Sequence, residues 1–109
     1  MENYARYIKE RENKFVLANE KGFMVYKIVD KECFLAEMFI QATSRGTGLF
    51  EQMILELNDL AKLNKCEVIT ANIDLRDKGA NRNLRASQKL DFKVIQANNN
   101  VLLIERKVS

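Results

Sequence analysis

The stretch Thr43-Ser44-Arg45-Gly46-Thr47-Gly48 carries the clearest chemistry in the chain. Two glycines and a guanidinium stand among hydroxyls, between the apolar run Phe34–Ile40 and a long amphipathic segment ending at Leu63. Strand, loop, helix is the expected local order. A loop that enters a helix in this way offers free backbone N–H groups and the positive end of the helix dipole to an anion. Glycine lets a phosphate lie against the backbone because it has no Cβ. The expectation is a phosphate-bearing ligand held over Ser44–Leu49.

Glu37 is a second candidate, a carboxylate between Ala36 and Met38 in the apolar run. Held among apolar neighbours it would suit deprotonation of an ammonium; on an outward sheet face it would simply be solvated. The chain has no histidine, which excludes Ser-His-Asp and Cys-His machinery and removes the commonest general base. A zinc site is not expected either. The two cysteines, Cys33 and Cys66, each begin an apolar run and read as small core side chains. Acid–base work falls to Asp, Glu, Tyr, Cys, Lys or water. Tyr7 and Tyr26 are candidate proton donors whose plainer reading is packing. Arg76–Lys93 gathers six cations against two carboxylates, which suits an anionic ligand or partner, or a solvated helix face.

The elements that must position these groups follow from periodicity. Tyr4–Ile8 fits a helical spacing or a short edge strand, and the strand is favoured. Phe15–Ala18, Phe23–Val29 and Cys33–Ile40 read as strands joined by short turns, an antiparallel meander. Gly22 is expected to supply a positive φ in the turn Asn19–Gly22, and Asp30–Glu32 forms the next turn. Phe50, Met53, Ile54, Leu57, Leu60 and Ala61 recur at three and four residues, a helix with one buried face. Glu67–Ile73 is the next strand. Strand–helix–strand connections are right-handed and place this strand parallel to Cys33–Ile40. Asn81–Leu90 is a second helix with Leu84, Ser87 or Gln88, and Leu90 inward. Asp91–Ile95 leads into a strand, Gln96–Asn100 is a hairpin turn, and Val101–Arg106 closes the sheet.

At 109 residues the chain fits one domain spanning 1–109. With 47% apolar and 30% charged residues it belongs to the soluble globular class. No apolar run approaches the ~20 residues that span a bilayer, and Met1–Tyr4 lacks a signal-peptide pattern, so no membrane role and a cytoplasmic setting are expected. A net charge of +3 does not by itself favour nucleic acid. The fold class is α/β (α+β): a mixed, mainly antiparallel sheet with two helices.

On these residues the chain resembles the GNAT superfamily of acetyl-CoA-dependent N-acetyltransferases, in particular its small bacterial and phage-type members. Thr43–Gly48 stands where the family has Gln/Arg-x-x-Gly-x-Gly/Ala, and Gln88-Lys89-Leu90-Asp91-Phe92-Lys93 where it has a Lys-Leu-Gly-Phe-like string. The resemblance implies a splayed parallel strand pair, often opened at a bulge. In that cleft Met38, Phe39 and Ile40 would lend their strand edge to the pantetheine arm. Ser44, Arg45, Gly46, Thr47 and Gly48 would hold the pyrophosphate, and Asn81 would reach the pantetheine arm. It further implies transfer of an acetyl group to a primary amine by direct attack, with Glu37 as base, no metal, and a small-molecule or protein acceptor. Thr43 replaces the motif's leading Gln or Arg, Asp91 its glycine, and Ser87 its acidic tyrosine, leaving water or Cys66 as substitutes. Those departures and the basic stretch favour the alternative, a non-catalytic GNAT-like module that binds a protein or nucleic-acid partner. Exposed edge strands suit a homodimer.

Overall fold

The computed structural model describes residues 15–41, 43 and 45–109. The strand expected over Tyr4–Ile8 lies outside them. The described elements are β1 (Phe15–Asn19), β2 (Gly22–Val29), β3 (Glu32–Ile40), α1 (Leu49–Leu63), β4 (Val68–Asp74), α2 (Ala80–Lys89), β5 (Lys93–Asn98) and β6 (Val101–Lys107). They form a six-stranded sheet in the order β1-β2-β3-β4-β6-β5. One pair, β3 with β4, is parallel; the others are antiparallel.

Two crossovers cover the sheet. α1 links β3 to its parallel neighbour β4. α2 links β4 to β5, which is also parallel to β4 because each is antiparallel to β6. Both connections move in the same direction across the sheet, so right-handedness puts both helices on one face. The core agrees. Met24, Tyr26, Cys33, Ile69, Ala71 and Ile104 from the strands meet Leu49, Met53, Ile54, Leu57 and Ala61 from α1, while Leu84 of α2 packs against the same cluster. Ser87 is buried and Gln88 exposed, which settles the inward face of α2. Asn58 of α1 is buried as well. Its Nδ2 donates to the Ser109 backbone oxygen at 3.0 Å and its Oδ1 accepts from the Ser109 N–H at 3.2 Å.

Three details differ from the sequence expectation or sharpen it. Gly22 is not among the residues with positive φ. It is needed for space instead, since a Cβ there would collide with the Phe39 carbonyl oxygen on the neighbouring strand. The last hairpin turn is tighter than Gln96–Asn100, for β5 continues to Asn98 and Asn99 alone takes positive φ (55°). The strand accommodates this with a bulge at Ile95, between Val94 and Gln96. Finally, both helices end in Schellman motifs whose left-handed residue is not glycine. At α1, Lys65 has φ 60°, its N–H donates to Lys62 O at 3.0 Å, and Cys66 N–H donates to Ala61 O at 2.8 Å. At α2, Asp91 has φ 68°, with bonds from Asp91 N–H to Gln88 O (3.2 Å) and from Phe92 N–H to Ser87 O (3.1 Å).

Among the described residues no helix is long and apolar enough to cross a membrane.

A side chain in the left-handed region costs ~1–2 kcal/mol, partly offset by the extra unfolded-state freedom of glycine. Lys65→Gly and Asp91→Gly are therefore each expected to raise unfolding free energy by about 0.5–1 kcal/mol in urea titrations. Gly22→Ala should lower it by about 1–3 kcal/mol through overpacking.

Candidate active site

The parallel ladder between β3 and β4 runs from Glu32 and Val68 to Leu35 and Ala71 and stops there. β3 continues for five more residues, Ala36–Ile40, with β2 as its strand partner, and Asn72–Asp74 of β4 continue with β6 as theirs. The cause is local. Val25 pairs with Glu37 and Tyr26 with Leu35, so Ala36 is an extra residue in β3, a bulge. A bulge bends and twists its strand, and here it turns β3 away from β4 at the last shared rung. Backbone N–H and C=O groups of both strands then face a wedge with no strand in it among the described residues.

The bulge also sets which side chains go where. Leu35, Met38 and Ile40 all pack on the helix-side core. Glu37 is exposed and, with Val25 opposite it, belongs to the other face, where Phe23 and Phe39 stack with ring centroids 5.7 Å apart. On β4, Ile69, Ala71 and Ile73 face the helices, which leaves Thr70 and Asn72 on the Glu37 side. There the Thr70 hydroxyl donates to Glu32 Oε2 at 2.6 Å. Met38, Phe39 and Ile40 thus line the wedge with backbone, while their side chains serve packing.

The loops beyond both parallel strands lead into helix N-termini at the same end of the sheet as the wedge. α1 starts at Gly48, which has φ 86° and gives no side-chain cap. The first intrahelical bond comes from Gln52 N–H to Gly48 O at 3.1 Å, so the N–H groups of Leu49, Phe50 and Glu51 have no helical acceptor. Gly46 has φ 77°, and neither glycine has any atom within 4 Å of where its Cβ would lie. The loop is therefore open to an approaching group and restricted to glycine by φ. Arg45 is exposed, with Nε donating to Ile40 O at 3.3 Å. Thr47 and Gly48 are exposed, and Ser44 lies outside the described residues. α2 likewise starts at a left-handed glycine, Gly79, with φ 87° and no side-chain cap, and Asn81 is exposed in its first turn. Arg82, Arg85 and Lys89 are exposed along α2, and among the described residues no ion pair involves them.

Other candidates sit elsewhere. Ser87 is buried in the last turn of α2, facing the sheet. Cys66 precedes β4, at the end of the sheet opposite the wedge, and burial pushes its thiol pKa up. Burial, then the nearby Cys66 and Glu32, pushes the Cys33 thiol up to about 12. Both thiols are free. Tyr26 is a core residue whose pKa is raised by burial first and by Cys33 second. Tyr7 lies outside the described residues. Among the described residues no group of three or more His, Cys, Asp or Glu could hold a metal ion.

A neighbouring feature escaped the sequence reading. Asn72, Arg76, Gln96, Asn98, Asn99, Asn100, Val101 and Leu103 surround a cavity of about 400 Å³. Asp74 anchors its guanidinium: Oδ1 accepts from Arg76 Nε and from the Arg76 backbone N–H, each at 3.0 Å, and Oδ2 accepts from Nη2 at 2.7 Å. The run of asparagines was visible in the sequence, but it read as turn chemistry.

No family model and no curated protein matches the chain. Solved structures do. The ribosomal-protein-S18-alanine N-acetyltransferase of Escherichia coli aligns with a TM-score of 0.73 at 14% identity, covering 99% of this chain and 76% of that one. The PaiA N-acetyltransferase of Thermoplasma acidophilum, solved with coenzyme A, aligns at 0.72 and 16% identity, covering 80% and 53%. Tetrahymena GCN5 aligns at 0.69 and 12% identity, covering 88% and 68%. The chain therefore spans between about half and three quarters of their lengths. At these identities the likeness is one of fold, and the fold is that of the GNAT acetyltransferases.

The Arg76 side-chain bonds, then its backbone N–H, hold the Asp74 carboxyl down to about 2 from an ordinary 3.8. A depressed carboxyl favours the folded state above its unfolded value, and that contribution disappears as pH falls through the folded one. Carboxyl-carbon NMR should find the Asp74 midpoint near 2 and, in Arg76→Ala, a rise toward 3.8. A midpoint near 3.8 in the parent protein would mean that the clamp is not formed in solution.

Proposed function

We propose that this chain, working as one domain, transfers an acetyl group from acetyl-CoA to a primary amine. The observation that carries the reading is the wedge opened by the Ala36 bulge, beside a glycine loop that leads into α1, where the N–H groups of Leu49, Phe50 and Glu51 have no helical acceptor. An extended, amide-bearing arm matches the edge of Met38–Ile40 that faces away from β2, as a further strand would. A pyrophosphate matches the loop Ser44–Gly48, where left-handed glycines leave the approach clear and the helix dipole is favourable. Arg45 adds a positive charge, and Asn81 offers a carboxamide from the second helix start. The coenzyme A in the PaiA structure supports this assignment.

In the reaction a neutral amine attacks the thioester carbonyl. The C–N bond forms, the C–S bond breaks, and the thiolate departs with its electron pair. Backbone N–H groups around Met38 stabilise the oxyanion. Glu37, on the face opposite the helices, accepts the amine's proton directly or through water. Ser87 is buried and carries a hydroxyl far less acidic than a phenol, so water is the better proton source for the thiolate. Pairing of the exposed β5 edge with a second copy belongs to the same proposal, although the Ile95 bulge interrupts that edge.

The exposed cations of α2, which form no ion pair among the described residues, favour a second reading, a binding module for an anionic partner. A nucleic-acid complex whose affinity falls steeply with salt, with no acetyl transfer, would replace the enzyme reading.

Calorimetric titration with acetyl-CoA should show binding that Gly46→Glu weakens by about 100-fold or more, a loss of ~2.7 kcal/mol. Gly46→Asn, neutral and tolerant of positive φ, should keep much of it. If the parent protein takes up no acetyl-CoA, the proposal fails. Glu37→Gln should lower kcat by about 100-fold without changing acetyl-CoA affinity, as loss of a general base does.

A further inference from the structure

The cavity beside Asn72 is the feature to which the acetyl-transfer reading gives no role. Its walls come from one face of the sheet. Leu103 pairs with Asn72 on β4 and with Gln96 on β5; Val101 pairs with Asp74 and with Asn98. All of these lie on the face opposite α1 and α2, shared with Glu37. Asn72 is also the first β4 residue past the last β3–β4 rung. The cavity therefore begins one residue past the last β3–β4 rung, on the same sheet face as the proposed base. The hairpin tip is fixed over its far end, where Leu75 N–H donates to Asn100 O at 2.7 Å.

The chemistry of the lining is unusual. Five carboxamides, on Asn72, Gln96, Asn98, Asn99 and Asn100, surround a floor of Val101 and Leu103. All five residues are exposed, and among the described residues no hydrogen bond engages any of the five side chains. Each carboxamide offers two donors and an acceptor in one plane, the pattern that a peptide group complements. The single cation, Arg76, is already held by Asp74, so the basin has little net charge to offer a phosphate. None of the lining residues is aromatic, so a sugar ring would find no stacking partner. A volume of about 400 Å³ lies within the ~300–1,000 Å³ typical of ligand sites.

We infer that this amide-lined basin binds the main chain of a peptide, and that the acceptor is therefore a polypeptide whose amine lies at the wedge. The transfer step rests on the acetyl-CoA reading; peptide binding does not.

The test is ¹⁵N NMR of the full chain without acetyl-CoA, using tri-alanine amide, glucosamine and n-butylamine as probes. Tri-alanine amide should shift the side-chain NH₂ signals of Asn72, Gln96 and Asn98 saturably. Gln96→Ala combined with Asn98→Ala should weaken that binding by about tenfold, with an unchanged melting temperature. Glucosamine binding to the same signals as tightly as the peptide, or no probe shifting them, overturns the inference. A parallel acetyl-CoA titration followed at Gly46 and Gly48 separates the two ideas. Peptide shifts without acetyl-CoA shifts would remove the transfer step and leave the peptide basin; the reverse would remove the basin and leave the cofactor site.

Discussion

One unfinished ladder governs this molecule. β3 and β4 share four residues of parallel pairing and then part, although both strands continue. Unpaired backbone groups are costly when buried, and natural folds leave them open where water or a ligand can meet them. Something must hold the wedge apart, and each arm has a full antiparallel partner for that purpose. β2 grips β3 on both sides of the bulge, from Val29 with Glu32 to Gly22 with Ile40. β6 pairs with every residue of β4, from Val68 with Lys107 to Asp74 with Val101. Each half of the sheet is continuous in itself, and the two meet along the short rung before the wedge.

The bent half of β3 imposes its own demands. β2 must stay close to a strand that has just changed direction, and Gly22 permits this by leaving room for the Phe39 carbonyl. Phe23 and Phe39 stack across the pair on the outer face, while Met38 and Ile40 return to the helix-side core. Because the bulge adds a single residue, Leu35 and Met38 face the same way although three positions apart. Without it, the alternation that buries Cys33 and Leu35 would bury Glu37 and expose Met38. The bulge thus opens the wedge and delivers the carboxylate to the face away from the helices.

The order of elements was legible in the sequence because aromatic and β-branched residues mark Phe23–Val29 as a strand, while apolar residues recur at three and four in Phe50–Ala61. Parallel pairing of β3 with β4 followed from the strand–helix–strand order. The bulge was not legible from local residues, since Ala36 has no signature of its own; the split entered through the family resemblance. Gly22 was read as a turn residue because glycine marks both positive φ and close approach, and local sequence does not separate the two. Of the site, the glycine loop announced itself through composition. Met38–Ile40 were named as an edge, which the ladder leaves open. The role of Ser87 rested on a family spacing, and burial in the last turn of α2 is what its sequence neighbours Leu84 and Leu90 would suggest. The asparagine basin was invisible for a different reason. It is built from β4, β5 and a two-residue turn that pairing alone brings together.

Two faces of the sheet with different chemistry meet at one gap. The helix face carries both uncapped N-termini, the left-handed glycines and the exposed cations of α2. Those features suit an extended anionic donor and are of little use to an amine. The opposite face carries Glu37, Asn72 and the neutral carboxamide basin, which suit an amine-bearing chain and are poor at holding phosphate. Among the described residues the sheet keeps the two sets apart, and its interior ladder is interrupted where β3 leaves β4. A donor laid in the wedge from one side would therefore present its carbonyl to an amine arriving from the other. The bulge at Ala36 sets that opening within the fold itself.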